Sequence, residues 1–280
     1  MRYIKTPLRY PGGKSRAAEK LMGSFPTKIE EFREPFLGGG SVALRFSQQY
    51  PDTPVWVNDK YSYLYNFWVT LRDQGYDLSE ALIDEKNAAT DESKSRELFD
   101  GAKEAISTAS PFRQAVLFWI LNKCSYSGLT ENSAFSKTAS VQNFTVRGAQ
   151  NLKQVSAVIK NWTITCKDYT EVLTPPGENV FAFLDPPYKI KSYLYGTNAE
   201  LHKGFDHKYF ADACIACPHN WMVTYNIDDE ISEWFKDYHQ ENFQLTYGMQ
   251  HRGSKNRTQQ ELLIKNFNNV TTSPLEVLFV

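Results

Sequence analysis

The residues with the clearest chemical meaning are Asp185, Pro186, Pro187 and Tyr188, which follow the apolar run Val180–Leu184. Proline has no N–H and cannot continue a sheet ladder, so a strand ending here presents an acid and an aromatic ring at its carboxyl end. Asp185 can accept one hydrogen of an exocyclic NH2 group and a proline carbonyl the other, while Tyr188 stacks on the attached ring. The motif predicts a site that orients the amino group of a base for alkylation. The alternative is that the prolines only end the strand and the acid caps a helix.

A second feature indicates a nucleoside site. The segment 34–41, EPFLGGGS, precedes apolar residues at helical spacing, which predicts a strand, a glycine loop and a helix. Glycines let the backbone approach a ligand, and the helix start offers free N–H groups. The next strand-like run ends at Asp59, an acid placed to bind ribose hydroxyls. The rival segment 11–15, PGGKS, is not a P-loop, because the GxxxxGK[ST] pattern needs a glycine where this chain has Leu8.

The elements that position these residues change character along the chain. Residues 61–150 have helical patterns without a strand-like run, and the helix predicted over 111–123 is apolar nearly all round, so it should be buried. The polar stretch 125–148 is predicted to be an exposed loop or hairpin. Beyond it, strands alternate with helices, which predicts an α/β fold with a mainly parallel sheet. The strand-like runs in that part of the chain are 162–166, 180–184, 221–226 and 261–265.

These patterns predict a discontinuous domain over 1–60 and 151–272, into which a helical domain over 61–150 is inserted. The length of 280 residues and the apolar fraction of 41% allow one sizeable core with such an insertion. The tail 273–280 matches the start of a common protease-tag site and is assigned to neither domain.

Composition predicts a protein of the cytosol, since no apolar stretch is long enough to cross a membrane and the first residues lack a signal-peptide pattern. The net charge of −1 gives no global electrostatic case for binding nucleic acid. Basic residues nevertheless cluster in the first twenty positions and again over 251–257. Cys214 and Cys217 form a CxxC pattern without a second cysteine pair nearby, which favours buried thiols over a metal or redox site.

Several motifs occur in an order that resembles the Dam-type (D12 class) DNA adenine-N6 methyltransferases, bacterial and phage enzymes that depend on S-adenosylmethionine. They are RYPGGK (9–14), EPFLGGGSV (34–42), PFRQAVLF (111–118), YSGL (126–129) and DPPY (185–188). The resemblance covers nearly the whole chain. It implies a class I S-adenosylmethionine-dependent methyltransferase (Rossmann-like) sheet, in which 61–150 is the target recognition domain with a DNA-contacting hairpin.

The resemblance also implies roles for individual residues. Asp59 would bind the ribose of S-adenosylmethionine and Asp168 would lie near its adenine amino group. The target adenine would flip out of double-stranded DNA, stack on Tyr188 and attack the methyl group through N6, with Asp185 orienting the amino group. The catalytic residues would be Asp185, Pro186, Pro187 and Tyr188, and the cofactor site would be lined by Tyr10, Lys14, Phe36, Gly38, Gly40, Asp59, Asp168 and Asp185.

The same resemblance suggests how DNA is contacted. Arg9 would lie near the target base, and the hairpin with Tyr126, Ser127 and Leu129 would wedge into the base stack. Members that read GATC have an arginine where this chain has Glu131, which cannot donate to guanine. Either another side chain, such as Arg147 or Lys137, supplies that contact or the recognised sequence differs, and GATC is the leading expectation. Phosphate contacts are expected from Arg252, Lys255 and Arg257.

Three other functions remain open from the sequence. An RNA or other amino-methyltransferase would use the same acid-Pro-Pro-aromatic site. A non-catalytic DNA-binding relative is disfavoured because the motif and the glycine loop are intact. A nicotinamide-dependent dehydrogenase would share the glycine loop and the ribose acid, but it leaves Asp185 and Tyr188 without a role. No obligate protein partner is evident from the motifs.

Overall fold

The fold is built on one sheet, seen in a computed structural model that describes residues 3–189, 204–246 and 258–268. Seven strands within these ranges form it, in the order β3-β2-β1-β4-β5-β7-β6. Their bounds are β1 Glu31–Glu34, β2 Val55–Asn58, β3 Thr163–Thr165, β4 Val180–Leu184, β5 Asn220–Asn226, β6 His239–Thr246 and β7 Thr258–Lys265. β7 is antiparallel to β5 and β6, and the other pairs are parallel. The α/β fold class predicted from the sequence is confirmed.

Helices cover both faces of the sheet. They are α1 Ala18–Met22, α2 Ser41–Gln49, α3 Ser62–Ala88, α4 Glu92–Ala105, α5 Pro111–Cys124, α6 Lys137–Gln142, α7 Val146–Ile159, α8 Thr170–Leu173, α9 His207–Ala216 and α10 Asp229–Trp234. In the described ranges, none of them has both the length and the apolar content needed to cross a bilayer. The prediction that α5 is buried is confirmed, because every residue from Ala115 to Cys124 is buried.

The centre of the sheet explains the apolar run before Asp185. β4 lies between two parallel neighbours and has helices on both sides, so all of its residues are buried and a continuous apolar sequence is required. Its neighbour β1 instead carries the buried Arg33. The Arg33 guanidinium donates to Glu31 at 2.7 Å and to the carbonyls of Val172 and Pro175 at 2.9 and 2.8 Å. These bonds replace the water that the charge loses on burial.

The helical region shares its core with the sheet. Phe67 and Trp68 of α3 and Phe118 of α5 belong to the same buried cluster as Phe32 of β1 and Phe183 of β4. A second cluster on the other face includes residues of α8, α9 and α10. Residues 61–150 therefore pack on the sheet through a continuous apolar interior.

The prediction of an exposed loop or hairpin over 125–148 is wrong in part. A single antiparallel bridge joins Ser125 to Phe135, and the stretch between them forms two 3₁₀ turns over Tyr126–Gly128 and Thr130–Asn132. The remainder forms α6 and the first turn of α7, where Ser136 and Thr145 cap the helix starts. These capping side chains, together with burial of apolar residues in the stretch, favour helical turns over a second ladder.

Two other differences have simple causes. β6 was not predicted, because its sequence HQENFQLT is mostly polar, as an edge strand allows. The separate helical patterns of residues 64–71 and 78–86, inside the predicted helical region 61–150, form one element, α3, which is interrupted only by the non-helical Gln74.

Gly75, next to this interruption, allows α3 to contact α7, because a Cβ atom there would overlap Ser156. We expect Gly75→Ala to lower the free energy of unfolding by about 1–3 kcal/mol, measured by urea denaturation. Gly101 of α4 is the matched control, since no atom lies within 4 Å of its would-be Cβ. Gly101→Ala should stabilise the protein by about 0.5–1 kcal/mol. Equal effects of the two substitutions would contradict this packing.

Candidate active site

The carboxylate of Asp185 is held at the carboxyl end of β4. Lys14 Nζ donates to its two oxygens at 2.8 and 2.9 Å, and Thr224 Oγ1 of the adjacent β5 donates at 2.8 Å. The Asp185 side chain is 21% exposed, so part of it faces solvent. The acid that the sequence places after the apolar run is therefore fixed in orientation and accessible.

The ammonium of Lys14 joins Asp185 to two further groups. Its Nζ lies 2.9 Å from the Tyr188 hydroxyl, 3.1 Å from the Gly12 carbonyl and 3.8 Å from Glu261 Oε2. Lys14 is only 4% exposed. The family resemblance implies that Lys14 lines the cofactor site, whereas in the structure its ammonium group bonds the predicted catalytic acid and aromatic residue.

Glu261 was not found by sequence reasoning. It is 2% exposed, and its Oε2 accepts from the Tyr188 hydroxyl at 2.7 Å. Burial raises the pKa of Glu261 to about 7, against the opposing effect of the Lys14 charge. The available signal was an acid at the head of the apolar run 262–264. Its significance depends on β7 running antiparallel, because that direction brings the start of β7 to the carboxyl ends of the parallel strands.

Tyr188 is supported on a second ring. Its ring stacks on Tyr225 of β5, with centroids 5.7 Å apart and an interplanar angle of 18°. Burial raises the pKa of the Tyr188 hydroxyl well above its usual range, so the hydroxyl stays protonated and can donate to Glu261. Pro186 is buried and Pro187 half-buried between Asp185 and this ring. The contacts of Asp185 and Tyr188 thus hold both ends of the predicted catalytic tetrapeptide in place.

The glycine loop between β1 and α2 forms a second part of the site. Gly38 and Gly40 have φ values of 48° and 64°, which favour glycine. A Cβ at Gly38 would lie 2.8 Å from the Tyr10 ring, and one at Gly40 would lie 2.7 Å from Trp68. The loop can therefore pass this close to Tyr10 and Trp68 only with glycine at these two positions.

Asp59 closes this loop from the end of β2. It accepts from the backbone N–H of Gly38 at 2.8 Å and from that of Tyr61 at 2.9 Å. Burial raises the pKa of Asp59 to about 6. Each carboxylate oxygen retains a further lone pair, so Asp59 can still accept from a ligand hydroxyl.

Phe36 and Asp168 stand at the neighbouring strand ends. The Phe36 ring contacts the rings of Tyr169 and Phe210, with centroids 5.1 and 5.7 Å apart. Asp168 accepts from the backbone N–H and hydroxyl of Thr170 and lies 3.4 Å from Lys60 Nζ. An apolar ring and a row of carboxylates therefore follow the carboxyl ends of β1, β2, β3 and β4, which suits a ligand with apolar, hydroxyl and cationic parts.

The segment with Arg9 is bound to the turns after α5. The Arg9 guanidinium donates to the Ser125 carbonyl at 2.8 Å, and the backbone of Arg9 exchanges bonds of 2.9 and 2.8 Å with Asn122. Desolvation lowers the pKa of Arg9. Gly128, in the first of these turns, has a φ of 74° and lies directly against the Arg9 backbone. Two segments that the sequence assigned to nucleic-acid contact are therefore adjacent.

The turns themselves present Tyr126 outward and hold Glu131 inward. Tyr126 is 49% exposed, and the adjacent Ser127 has a φ of 54°. The Tyr61 hydroxyl donates to Glu131 Oε1, while Glu131 Oε2 is buried without a partner among the described residues. Leu129 links the two turns. The carboxylate of Glu131 is thus directed to the protein in this structure.

The remaining predicted contacts fall elsewhere. Arg147 is exposed in the first turn of α7, and Lys137 pairs with Glu92. Arg252, Lys255 and Arg257 lie outside the described residues. Cys214 and Cys217 are buried as free thiols, and in the part of the chain that the structure covers no group of metal-ligating side chains is arranged to hold an ion.

Comparison with known proteins gives consistent matches. The model of the family described as D12 class N6 adenine-specific DNA methyltransferase matches residues 10–268. The Type II methyltransferase M.MjaIII of Methanocaldococcus jannaschii is 27% identical over 201 residues, which cover 66% of this chain and 70% of that protein. The DNA adenine methylase of Escherichia coli K12 is 28% identical over 188 residues, covering 65% of this chain and 64% of that protein. M.FokI of Planomicrobium okeanokoites is 22% identical over 96% of this chain but only 44% of its own length.

Removing the Lys14 charge should destabilise the fold, because Glu261 and the partly exposed Asp185 would lose their shared cation. We expect Lys14→Gln to lower the free energy of unfolding by about 3 kcal/mol at mildly alkaline pH. The loss should shrink as pH falls below about 7, the pKa to which burial raises Glu261, because a neutral acid needs no cation. Urea denaturation at both pH values tests this.

The control for that substitution is Lys236→Gln, which breaks the exposed pair with Glu233. It should change the free energy of unfolding by less than about 0.5 kcal/mol at either pH. A Lys14→Gln variant as stable as this control would show that the buried cation does not hold the two acids.

Proposed function

The chain belongs to the D12 class of N6 adenine-specific DNA methyltransferases, and on that premise we propose that it transfers a methyl group from S-adenosylmethionine to N6 of an adenine flipped out of double-stranded DNA. The observation that carries the proposal is the fixed carboxylate of Asp185, which Lys14 and Thr224 bond at 2.8 Å beside the supported ring of Tyr188. This is the arrangement needed to hold an amino group in line for attack.

The strand ends fit the proposed cofactor. Asp59 is placed to accept from ribose hydroxyls, Phe36 offers an apolar face, and Asp168 is available to an adenine amino group. The glycine loop over Tyr10 allows close approach to the backbone. S-adenosylmethionine, when bound, supplies a cationic sulfonium whose methyl group is the electrophile. The carboxylates at this edge of the sheet suit its positive charge.

The chain's own residues would act on the target amino group in three ways. Asp185 accepts one amino hydrogen and the Pro186 carbonyl is proposed to accept the other, so that the nitrogen lone pair is aimed at the methyl group. Tyr188 stacks on the flipped base. As positive charge develops on the nitrogen, the Asp185 carboxylate stabilises it. Its role is orientation and charge stabilisation before any proton transfer.

We propose that part of the helical region 61–150 reads the DNA. The exposed ring of Tyr126, with Ser127 and Leu129, is suited to fill the gap left by a flipped base. The Arg9 guanidinium holds the start of this turn by donating a hydrogen bond to the Ser125 carbonyl. Phosphate contacts from Arg252, Lys255 and Arg257 complete the proposed interface.

Recognition of guanine must differ from the arginine-based contact that the family resemblance implies. Glu131 stands at that position and accepts the hydroxyl hydrogen of Tyr61. A glutamate can accept from a cytosine amino group but cannot donate to guanine. We propose GATC or a related short site as the first sequence to test, with the guanine contact supplied by another side chain such as Arg147.

The catalytic role of Asp185 predicts that Asp185→Ala lowers the methyl-transfer rate by about 10²–10³-fold while the folded protein still binds S-adenosylmethionine. Labelled methyl transfer to duplex oligonucleotides and calorimetric titration measure the two quantities. Asp212→Ala in α9 is the control, since the exposed Asp212 pairs with Lys208 at the surface. Transfer by Asp185→Ala at the wild-type rate would refute the proposed mechanism.

The substrate is predicted to be adenine in duplex DNA. Modified-base sequencing of DNA from cells that express the protein should show N6-methyladenine in one short sequence context, and in the Asp185→Ala strain it should not. Labelled transfer to RNA and to single-stranded oligonucleotides provides the comparison. Activity on RNA alone would replace this substrate, and absence of S-adenosylmethionine binding would favour a non-catalytic DNA-binding protein.

A further inference from the structure

Glu261 lies at the candidate active site, but the reaction proposed above assigns it no role. Its side chain is almost fully buried, yet one carboxylate oxygen, Oε1, has no hydrogen-bond partner among the described residues. The other oxygen accepts from Tyr188 and lies 3.8 Å from Lys14 Nζ. A buried acid that is only half satisfied lowers stability, so its retention here calls for a functional reason.

We propose that Glu261 is a positioning residue for methyl transfer, which fixes the Tyr188 ring and, when ionised, gives the buried cluster around Lys14 the net negative charge that the reaction uses. This inference rests on the proposed function. It assigns the proposed reaction a further residue, on β7, and predicts that the rate of methyl transfer depends on pH.

The directions of its hydrogen bonds position the Tyr188 ring. The Tyr188 oxygen accepts from Lys14 Nζ at 2.9 Å, so its single hydrogen is directed to Glu261 Oε2 at 2.7 Å. The hydroxyl is therefore held from two sides. Stacking on Tyr225 fixes the plane of the same ring. Together these contacts define where a base stacked on Tyr188 would lie.

The titratable groups that face Glu261 come from two other segments of the chain. These are Lys14 from the amino-terminal segment and Asp185 and Tyr188 from the segment after β4. Across the sheet register, β5 and β6 present Asn226 and Phe243, which do not titrate. With Glu261 ionised, one ammonium faces two carboxylates, and Lys14, Asp185 and Glu261 together carry a single negative charge. With Glu261 protonated, Lys14 and Asp185 cancel and that charge is lost.

Methyl transfer should be faster when Glu261 is ionised and the cluster has a net negative charge. The lone pair of N6 forms the new N–CH3 bond as the S–CH3 bond breaks, and the electron pair of the broken bond stays on sulfur. The target nitrogen becomes positive and then loses one proton to solvent. A cluster with net negative charge stabilises the positive charge in this low-dielectric site. Since burial raises the pKa of Glu261 to about 7, the ionised form is lost in the neutral range as pH falls.

The test is the pH dependence of kcat/KM for methyl transfer to duplex DNA in the wild type and in Glu261→Gln. Glutamine keeps the side-chain size and an oxygen that accepts from Tyr188, but it cannot ionise. We expect the wild-type value to fall as pH drops through neutrality. Glu261→Gln should be roughly ten- to a hundredfold slower at alkaline pH, should lack this fall, and should meet the wild type at acidic pH.

Two further variants test whether Glu261 acts through its charge and its bond to Tyr188 or only by stabilising the fold. Glu241→Gln on the neighbouring β6, where the side chain is 42% exposed, should keep the wild-type profile. In a Tyr188→Phe background, Glu261→Gln should have a smaller effect than in the wild type, because the shared hydrogen bond is already gone. Thermal unfolding of Glu261→Gln at or above the wild-type temperature would exclude misfolding as the cause.

The outcomes are distinct. A Glu261→Gln variant with the wild-type rate and profile would overturn the inference, and so would an equal loss at every pH, which indicates a merely structural role. If the wild type transfers no methyl group to DNA at any pH, the proposed function itself fails. Convergence with the wild type at acidic pH, with normal unfolding, supports the inference.

Discussion

The site depends on one buried ammonium group. Lys14, in the segment before α1, is shared between Asp185, which follows β4, and Glu261 within β7. Two carboxylates this close would repel one another without a cation between them. Because a buried charge is stable only when it is paired and hydrogen-bonded, Lys14 and its partners constrain one another. The amino-terminal segment, the central strand and the antiparallel strand are joined at this point.

Sheet topology explains why such distant residues meet. Parallel strands place the residues that follow them at one edge of the sheet, which brings Asp59, Asp168 and Asp185 into one row. The antiparallel β7 adds Glu261 to the same edge from the opposite chain direction. The row carries several acids and one buried lysine. The pKa of Glu261 in this row is set jointly by burial, which raises it, and by the Lys14 charge, which lowers it.

The proposed DNA-facing turns are connected to the cofactor side of the site through Tyr61. Its hydroxyl donates to Glu131 in the turns, and its backbone N–H donates to Asp59 at the end of β2. Asp59 in turn accepts from Gly38 in the glycine loop. Tyr61 thus links the turns to Asp59, the acid proposed to bind the ribose, through one residue. This connection gives Glu131 a defined role inside the protein, although its sequence position suggested a contact with a base.

The sequence alone was sufficient for the α/β fold class, the buried α5, the apolar β4 and the family, because each depends on local periodicity or on a short motif in order. It did not predict β6, whose polar edge sequence has no hydrophobic period, or the helical turns after α5, which depend on side-chain caps and burial. Above all it did not find Glu261. An acid before three apolar residues has no special meaning until an antiparallel strand brings it to Lys14 and Tyr188. Motifs predicted which groups do the chemistry, whereas only the tertiary structure decided their charges and partners, because pKa values and ion pairs depend on burial and on distances between residues far apart in the chain.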